Sequence, residues 1–351
     1  MKNLTKHSLI RLSSSLHLPS AFTRSPRSAL TTILYHRFFA PGESVDLGRE
    51  RLHRQLEWLR EKYTPLSLTG AISHIEQGTL PSFPLVVTVD EVFPDLLNVW
   101  DVFQEHAIPL TIFVCVGWTE FSGPLNAPAT LSRVVDFLQW YRGPEQKVDL
   151  GKSGAFLLGP KSLDHAIDYV LAKSQTEGEE FVTFAWDVLC RLPREARRHQ
   201  RTCNWSELQD LHQRGATIGS HTVSHCRLAQ CSDLRLHYEL RESKRIIAAR
   251  VADCESLAYP YGTPAVVSPR TTVFAIEAGY RYAFLTHIDF APNHADVFYL
   301  PRITIPDDNI DINLFRALVL GGQIPFQRIK RTIADKLSQL ERWRWFRRRS
   351  Q

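Results

Sequence analysis

The segment Gly219-Ser220-His221-Thr222-Val223-Ser224-His225 sets two imidazoles four residues apart, directly after an apolar run that reads as the end of a buried strand. One tight turn at a strand's carboxyl end can aim both rings at a single point, which is what a divalent transition metal such as zinc requires. Far upstream, Leu85-Val86-Val87-Thr88-Val89-Asp90-Glu91 is a second apolar strand that ends in two adjacent carboxylates. One of them could complete a site of two histidines and one carboxylate, which leaves the other to act as a base. Plainer uses exist for the same residues. A histidine pair at this spacing also occurs on surfaces and in cores, and an acidic pair at a strand end also serves as a solvated turn. Cys226, next to His225, is either an extra ligand or a packed thiol.

These side chains meet only if a scaffold carries several strand ends to one side. Strand-like runs recur at 31–35, 85–90, 108–116, 216–220, 256–259, 282–286 and 298–303. Helical patterns lie between them at 50–63, 95–106 and 205–214, the last stopped by Gly215. A long helix follows the capping Ser232, and another is opened by Ser268-Pro269 and closed by Gly279. This alternation predicts an α/β fold, a barrel or distorted (β/α) barrel of about seven parallel strands with helices outside. In such folds the chemistry gathers at the carboxyl ends of the strands. Asp90, Glu91, His221 and the turn Pro260-Tyr261-Gly262 all stand at such ends. Residues 119–203 break the alternation with helical patterns at 131–141 and 163–172, and read as a helical insertion on the active-site side. The expected organisation is a basic arm over 1–29, one domain over 30–327 and a basic amphipathic tail over 328–351.

The composition, 44% hydrophobic and 23% charged over 351 residues, is that of a soluble globular protein with one large core or two smaller ones. Residues 1–42 contribute +6 and residues 328–351 contribute +7 to a net charge of +5, so the stretch between them is net acidic. The basicity belongs to the ends, and no nucleic-acid partner is expected. Six cysteines without a CxxC pair do not form a disulfide scaffold. The longest apolar stretch, 108–118, is too short to cross a bilayer and is broken by Pro109 and Thr111. The N-terminus lacks a continuous apolar segment, so no secretory signal is read and a cytoplasmic location is expected. The tail carries Ile329, Ile333, Leu337 and Leu340 at helical spacing, then Trp343, Trp345 and Phe346 among arginines. It reads either as a helix in peripheral contact with an anionic membrane surface or as a solvated helix on the barrel.

In this order, from about Thr32 to Ile305, the motifs resemble those of the polysaccharide deacetylase family (NodB homology, carbohydrate esterase 4). Ile33-Leu34-Tyr35-His36 looks like its opening strand. Val87-Thr88-Val89-Asp90-Glu91 stands where the family has Thr-Phe-Asp-Asp-Gly. His221-Thr222-Val223-Ser224-His225 matches its His-(Ser/Thr)-x-x-His motif. Leu257-Ala258-Tyr259-Pro260-Tyr261-Gly262 looks like its third motif, and Leu300-Pro301-Arg302-Ile303 like the closing segment of one branch. The resemblance implies metal-dependent removal of an N-acetyl group from a glycan. It makes Asp90 the general base and gives Glu91, His221 and His225 to a divalent ion: zinc first, cobalt or nickel otherwise. Arg302 either holds Asp90 or forms a structural ion pair. Tyr259, Pro260, Tyr261 and Gly262 would border the sugar, with a backbone N–H of Tyr259 or a neighbour facing the oxyanion, or would form a plain turn.

The chain departs from the family pattern at several points. Glu91 replaces an Asp and reaches one methylene farther. Val92 replaces a Gly, which is expected to forbid a positive φ and to narrow the pocket. Ala258 stands where many members have Arg, and Cys226 where a Pro is common. A Leu-x-His for the general acid is missing; His287, His294 and His36 are the nearby candidates. The readings that compete with N-deacetylation are an O-acetyl esterase and a non-catalytic glycan binder.

Overall fold

Pro84–Asp90 is buried at all seven positions, as expected of a strand covered on both faces. It sits at the centre of the fold. The structure is a computed structural model that describes residues 26–121, 130–139, 141, 143–192, 201–263, 266–322 and 324. Most of the basic arm and all of the basic tail, with their expected membrane contact, lie outside the described residues. The strands are β1 (Ala29–Tyr35), β2 (Thr64–Pro65), β3 (Pro84–Asp90), β4 (Leu110–Val114), β5 (Gln146–Asp149), β6 (Ala155–Leu158), β7 (Thr217–Ser220), β8 (Ser256–Ala258), β9 (Tyr282–Phe284), β10 (Ala291–Pro292) and β11 (Ile303–Thr304). The helices are α1 (Val45–Lys62), α2 (Leu68–Gln77), α3 (Trp100–Glu105), α4 (Val116–Phe121), α5 (Leu131–Gln139), α6 (Leu163–Cys190), α7 (Trp205–Gln213), α8 (Asp233–Arg250), α9 (Pro269–Glu277) and α10 (Ile312–Val319).

The main sheet runs β10-β1-β3-β4-β7-β8-β9, with β11 added to β1 and β2 to β3. All its pairings are parallel except β1 with β10. The sheet curls into a distorted (β/α) barrel with helices outside. Between β9 and β1 the stretch from Leu300 to Ile305 forms the seam: Leu300 bridges Phe284, Ile303 pairs with Ile33, and the Ile305 N–H donates to the Leu34 carbonyl at 2.8 Å. The expected strand over 298–303 is thus reduced to a bridge and a two-residue strand. The seam carries Arg302 into the barrel.

Local chemistry explains most boundaries. Ser44 caps α1, so that helix starts five residues earlier than the apolar pattern suggested. Asn204 and Ser268 each close a capping box, at α7 and α9, and Ser232 caps α8. The helix expected over 95–106 splits into a 3₁₀ turn, Pro94–Asn98, and α3. Asp95 explains the split: its carboxylate accepts from the Phe38 N–H at 2.9 Å and from Arg37 Nε at 3.0 Å, so the turn is tied to the loop after β1.

The segment between β4 and α7 has its own apolar cluster, built from α5, α6 and the hairpin β5–β6, with Tyr141, Val148, Phe156 and Ile167 buried in it. Sequence periodicity showed only its helices. Four-residue strands give too few alternations to read, and Gly178 at φ 71 kinks α6. No helix among the described residues is long and apolar enough to cross a membrane.

Candidate metal centre and its cleft

β3 and β7 end side by side around β4, and the predicted residues converge there. Glu91 Oε1 lies 3.2 Å from His225 Nε2, and His221 Nε2 lies 3.8 Å from Asp90 Oδ2. One ligand atom from each of Glu91, His221 and His225 falls within 4.8 Å of the others. His221 Nδ1 lies 2.8 Å from the Ala258 carbonyl oxygen. A proton on Nδ1 satisfies that contact and turns the Nε2 lone pair toward the cluster, as a metal ligand requires. Burial lowers the imidazolium pKa of His221 to about 4 against the pull of Asp90, so the ring is neutral at pH 7. Burial also opposes ionisation of Glu91, yet the hydrogen bond and charge of His225 hold its carboxyl below the usual range. Two imidazole nitrogens and a carboxylate form a donor set that suits a borderline divalent ion.

The turn after β3 is unusual. Glu91 has φ 64 and Val92 φ 33. The expectation that valine forbids a positive φ here is wrong. The Val92 side chain is buried in the main core rather than in the pocket, and its carbonyl accepts the Cys203 N–H at 2.8 Å. Those contacts hold a conformation that a β-branched residue avoids on its own.

The loop from Ser220 to His225 is held from outside. Glu239 of α8, fully buried, accepts the Val223 and Ser224 N–H groups at 2.9 Å each, and the Ser224 hydroxyl as well. The Val116 and Gly117 amides donate to the Thr222 and Val223 carbonyls at 3.1 and 2.8 Å. The sequence reading missed Glu239, although an acid between Leu236 and Leu240 on a buried helix face was a visible signal. The His225 ring also rests against Trp118 at 5.2 Å between centroids. Cys226 points the other way: its sulfur lies 3.3 Å from that of Cys231 within the core, which is the packed-thiol reading.

Arg302 pairs with Asp90. Two parallel contacts of 2.7 Å join the guanidinium to both carboxylate oxygens, with both groups buried. Arg302 Nε donates to the Leu285 carbonyl at 2.8 Å, and the group lies beside the rings of Phe113 and Phe284. Burial would raise the Asp90 pKa, but the opposed charges of Arg302 and His221 bring it net down to about 2.

The third motif needs correction. Tyr259 is fully buried in the core, and its N–H is committed to the Phe284 carbonyl at 3.0 Å, so it neither borders a sugar nor faces an oxyanion. Pro260 is buried too. Tyr259 shares the main core with Leu257, two positions before it in β8. Tyr261 is the residue that emerges: it is 38% exposed, and its ring stands edge-on to His225 at 4.8 Å. Gly262, at φ 44, is where glycine is required, since a Cβ would come within 2.4 Å of the Thr286 nitrogen. Gly262→Ala is expected to destabilise the fold by roughly 1–3 kcal/mol and to displace Tyr261. A thermal melt reads the first effect, and an unchanged melting temperature would contradict it.

His294 lies beside Gly78, and its N–H donates to Ile75, near β10 and the start of β1, at the opposite end of the barrel. It is removed as a candidate acid. His36, half-buried at the end of β1, lines a cleft of about 930 Å³ with Arg37, Phe39, Glu91, Phe93 and Asp307.

The shifts at His221 and Asp90 set an acid limit for the metal-free protein. His221 binds its proton near pH 6.5 when unfolded and about 4 when folded, so stability falls as pH drops through that interval. Asp90, 3.8 unfolded and about 2 folded, extends the loss to about pH 2. The shifts correspond to roughly 3 kcal/mol at His221 and roughly 2 at Asp90. Urea titrations of chelator-treated protein should show midpoints that decline steadily below pH 6.5. A flat profile from pH 7 to 4 would contradict the His221 environment.

Comparisons with known proteins follow the same lines. The sequence profile of the polysaccharide deacetylase family matches residues 78–283. Among solved structures, Streptococcus pyogenes deacetylase PplD in complex with acetate is similar at TM-score 0.53 and 16% identity, over 84% of this chain and 99% of that one. IcaB from Ammonifex degensii is similar at TM-score 0.52 and 15% identity, over 86% of this chain and 100% of that one. A de-N-acetylase from Aggregatibacter actinomycetemcomitans gives 0.51 and 14%, over 82% and 99%. At such identities these likenesses concern the fold. No curated protein sequence matches the chain.

Proposed function

The chain belongs to the polysaccharide deacetylase family, and from that premise we propose that it removes N-acetyl groups from a glycan, using a divalent ion held by Glu91, His221 and His225. The observation that carries this reading is the convergence of those three ligand atoms within 4.8 Å, with the Asp90 carboxylate 3.8 Å from His221. Zinc suits the donors best, and cobalt or nickel would serve. A bound ion supplies a Lewis acid for the acetyl carbonyl and lowers the pKa of an attacking water.

Asp90 accepts the proton that this water sheds. Arg302 fixes both Asp90 oxygens in one plane and keeps the carboxylate ionised throughout the working pH range. His36, in the cleft beside Glu91, hands a proton to the departing amine. Phe39 and Phe93 give the cleft apolar surface for a sugar ring, and Tyr261 stands against His225.

Metal analysis and acetate release test the reading together. Dialysed protein should retain about one zinc, cobalt or nickel ion per chain. It should also release acetate from at least one of a chitin-like, a peptidoglycan-like or an exopolysaccharide fragment. Chelation should stop release, and added zinc should restore it. Metal-loaded protein that frees no acetate from any N-acetyl glycan would leave the binding reading in its place, and release from O-acetyl glycans alone would make it an esterase.

A further inference from the structure

Two arginines flank the centre, and they are neutralised differently. Arg37 lies over the Phe93 ring at 4.4 Å and pairs with Asp95 at 3.0 Å. Arg227 is exposed, its guanidinium carbon is 4.9 Å from the centroid of the Tyr261 ring, and no carboxylate among the described residues is within ion-pair distance of it. Tyr261 in turn stands 4.8 Å from His225. The cation is therefore two ring contacts from His225, one of the proposed metal ligands.

Its position is built. Arg227 is the second residue after His225, and its carbonyl accepts the Gln230 N–H at 2.9 Å at the start of a 3₁₀ turn, Leu228–Gln230. Under Arg227, the Tyr261 carbonyl accepts the Thr286 hydroxyl at 2.7 Å and the Gly262 carbonyl accepts the Thr286 N–H at 2.9 Å, so the ring that carries the cation is anchored. Stacking restrains a guanidinium but leaves its N–H edge open, which is the geometry for a two-point grip on an oxyanion. The cleft that contains Glu91 and Asp307 also holds Arg37, but that guanidinium is already paired with Asp95.

Resting on the deacetylase reading, we propose that Arg227, seated on Tyr261, forms an oxyanion subsite, and that the glycan substrate carries a carboxylate or phosphate group next to the sugar that loses its acetyl. The subsite takes the anion at its N–H edge and so sets which way the chain lies across the centre.

Calorimetry on the full, zinc-supplemented chain, run at low temperature with ligand checked for released acetate, reads binding separately from turnover. The ligands are an oligogalacturonate, a neutral chito-oligosaccharide of equal length, and the same neutral chain bearing one phosphate. Wild type should bind an anionic ligand about tenfold tighter than the neutral one at low salt, with the ratio shrinking as salt rises. Arg227→Ala should bring the ratio close to one, and Arg227→Lys should keep part of it. Preference for the uronate or for the phosphate identifies which oxyanion is native, and either supports the subsite. Equal affinities in wild type, or a ratio untouched by Arg227→Ala, overturns it. If the preference is present but no acetylated glycan yields acetate, the deacetylase reading falls and the subsite stands. If acetate is released with no preference, the reverse holds.

Discussion

Asp90→Asn should lower acetate release by about 10²–10⁴-fold, the range for removing a positioned base, while about one metal ion per chain stays bound. The carboxamide keeps the shape of the side chain and loses its capacity to take a proton. Metal retention is expected because the ligand atoms belong to Glu91, His221 and His225. The same change leaves Arg302, fully buried, facing a neutral group, so a lower melting temperature should accompany the loss. A second variant separates the effects. Arg302→Met removes the charge that opposes burial at Asp90, so the carboxyl pKa should rise from about 2 and the acid limb of the rate profile should move to higher pH. Full activity in Asp90→Asn would remove Asp90 as the base, and an acid limb that stays put in Arg302→Met would remove Arg302 as its tuning partner.

Glu239→Ala is expected to cost about 3–5 kcal/mol of folding stability, the range for breaking a buried charged pair, and to weaken zinc binding about 10–100-fold. The carboxylate touches no ligand atom. It satisfies the amides of Val223 and Ser224, between the two histidines, and lies 3.7 Å from Arg235. Without it the two amides and the Ser224 hydroxyl lose their acceptor, and Arg235 loses a buried counter-charge while keeping its bonds to Asp164 and Gln139. Glu239→Gln keeps an acceptor oxygen and should recover part of both losses. Denaturant titration and competition with a zinc chelator measure them separately. A zinc affinity that is unchanged in folded Glu239→Ala would show that the loop holds its shape without the carboxylate.

Sequence carried the fold because strand and helix alternate in long, strongly patterned segments. Asp90, Glu91 and His221 were legible as strand-end residues, since a strand aims its last side chains predictably. That Arg302 pairs with Asp90 was suggested only by the family resemblance: the two are 212 positions apart, and no local pattern reports such a contact. Tyr259 and Pro260 were misread because a Pro-Tyr-Gly turn looks exposed throughout, whereas only Tyr261 clears the end of β8. Val92 was misread because local preference was taken to outweigh packing, and its buried side chain reverses that order. Glu239 was overlooked because its role is to satisfy backbone donors on another element, a relation with no sequence period.

Asp90 comes from the third strand of the chain, while the guanidinium that grips it arrives on the seam between β9 and β1. During synthesis, strands β1 to β8 can all have emerged while that carboxylate still lacks its partner. A nascent or truncated chain that stops before residue 302 carries Asp90, Glu91, His221 and His225 without the arginine that pairs with Asp90. The two-point ion pair thereby exists only in a chain extended past residue 302, and burying Asp90 any earlier would leave its charge uncompensated.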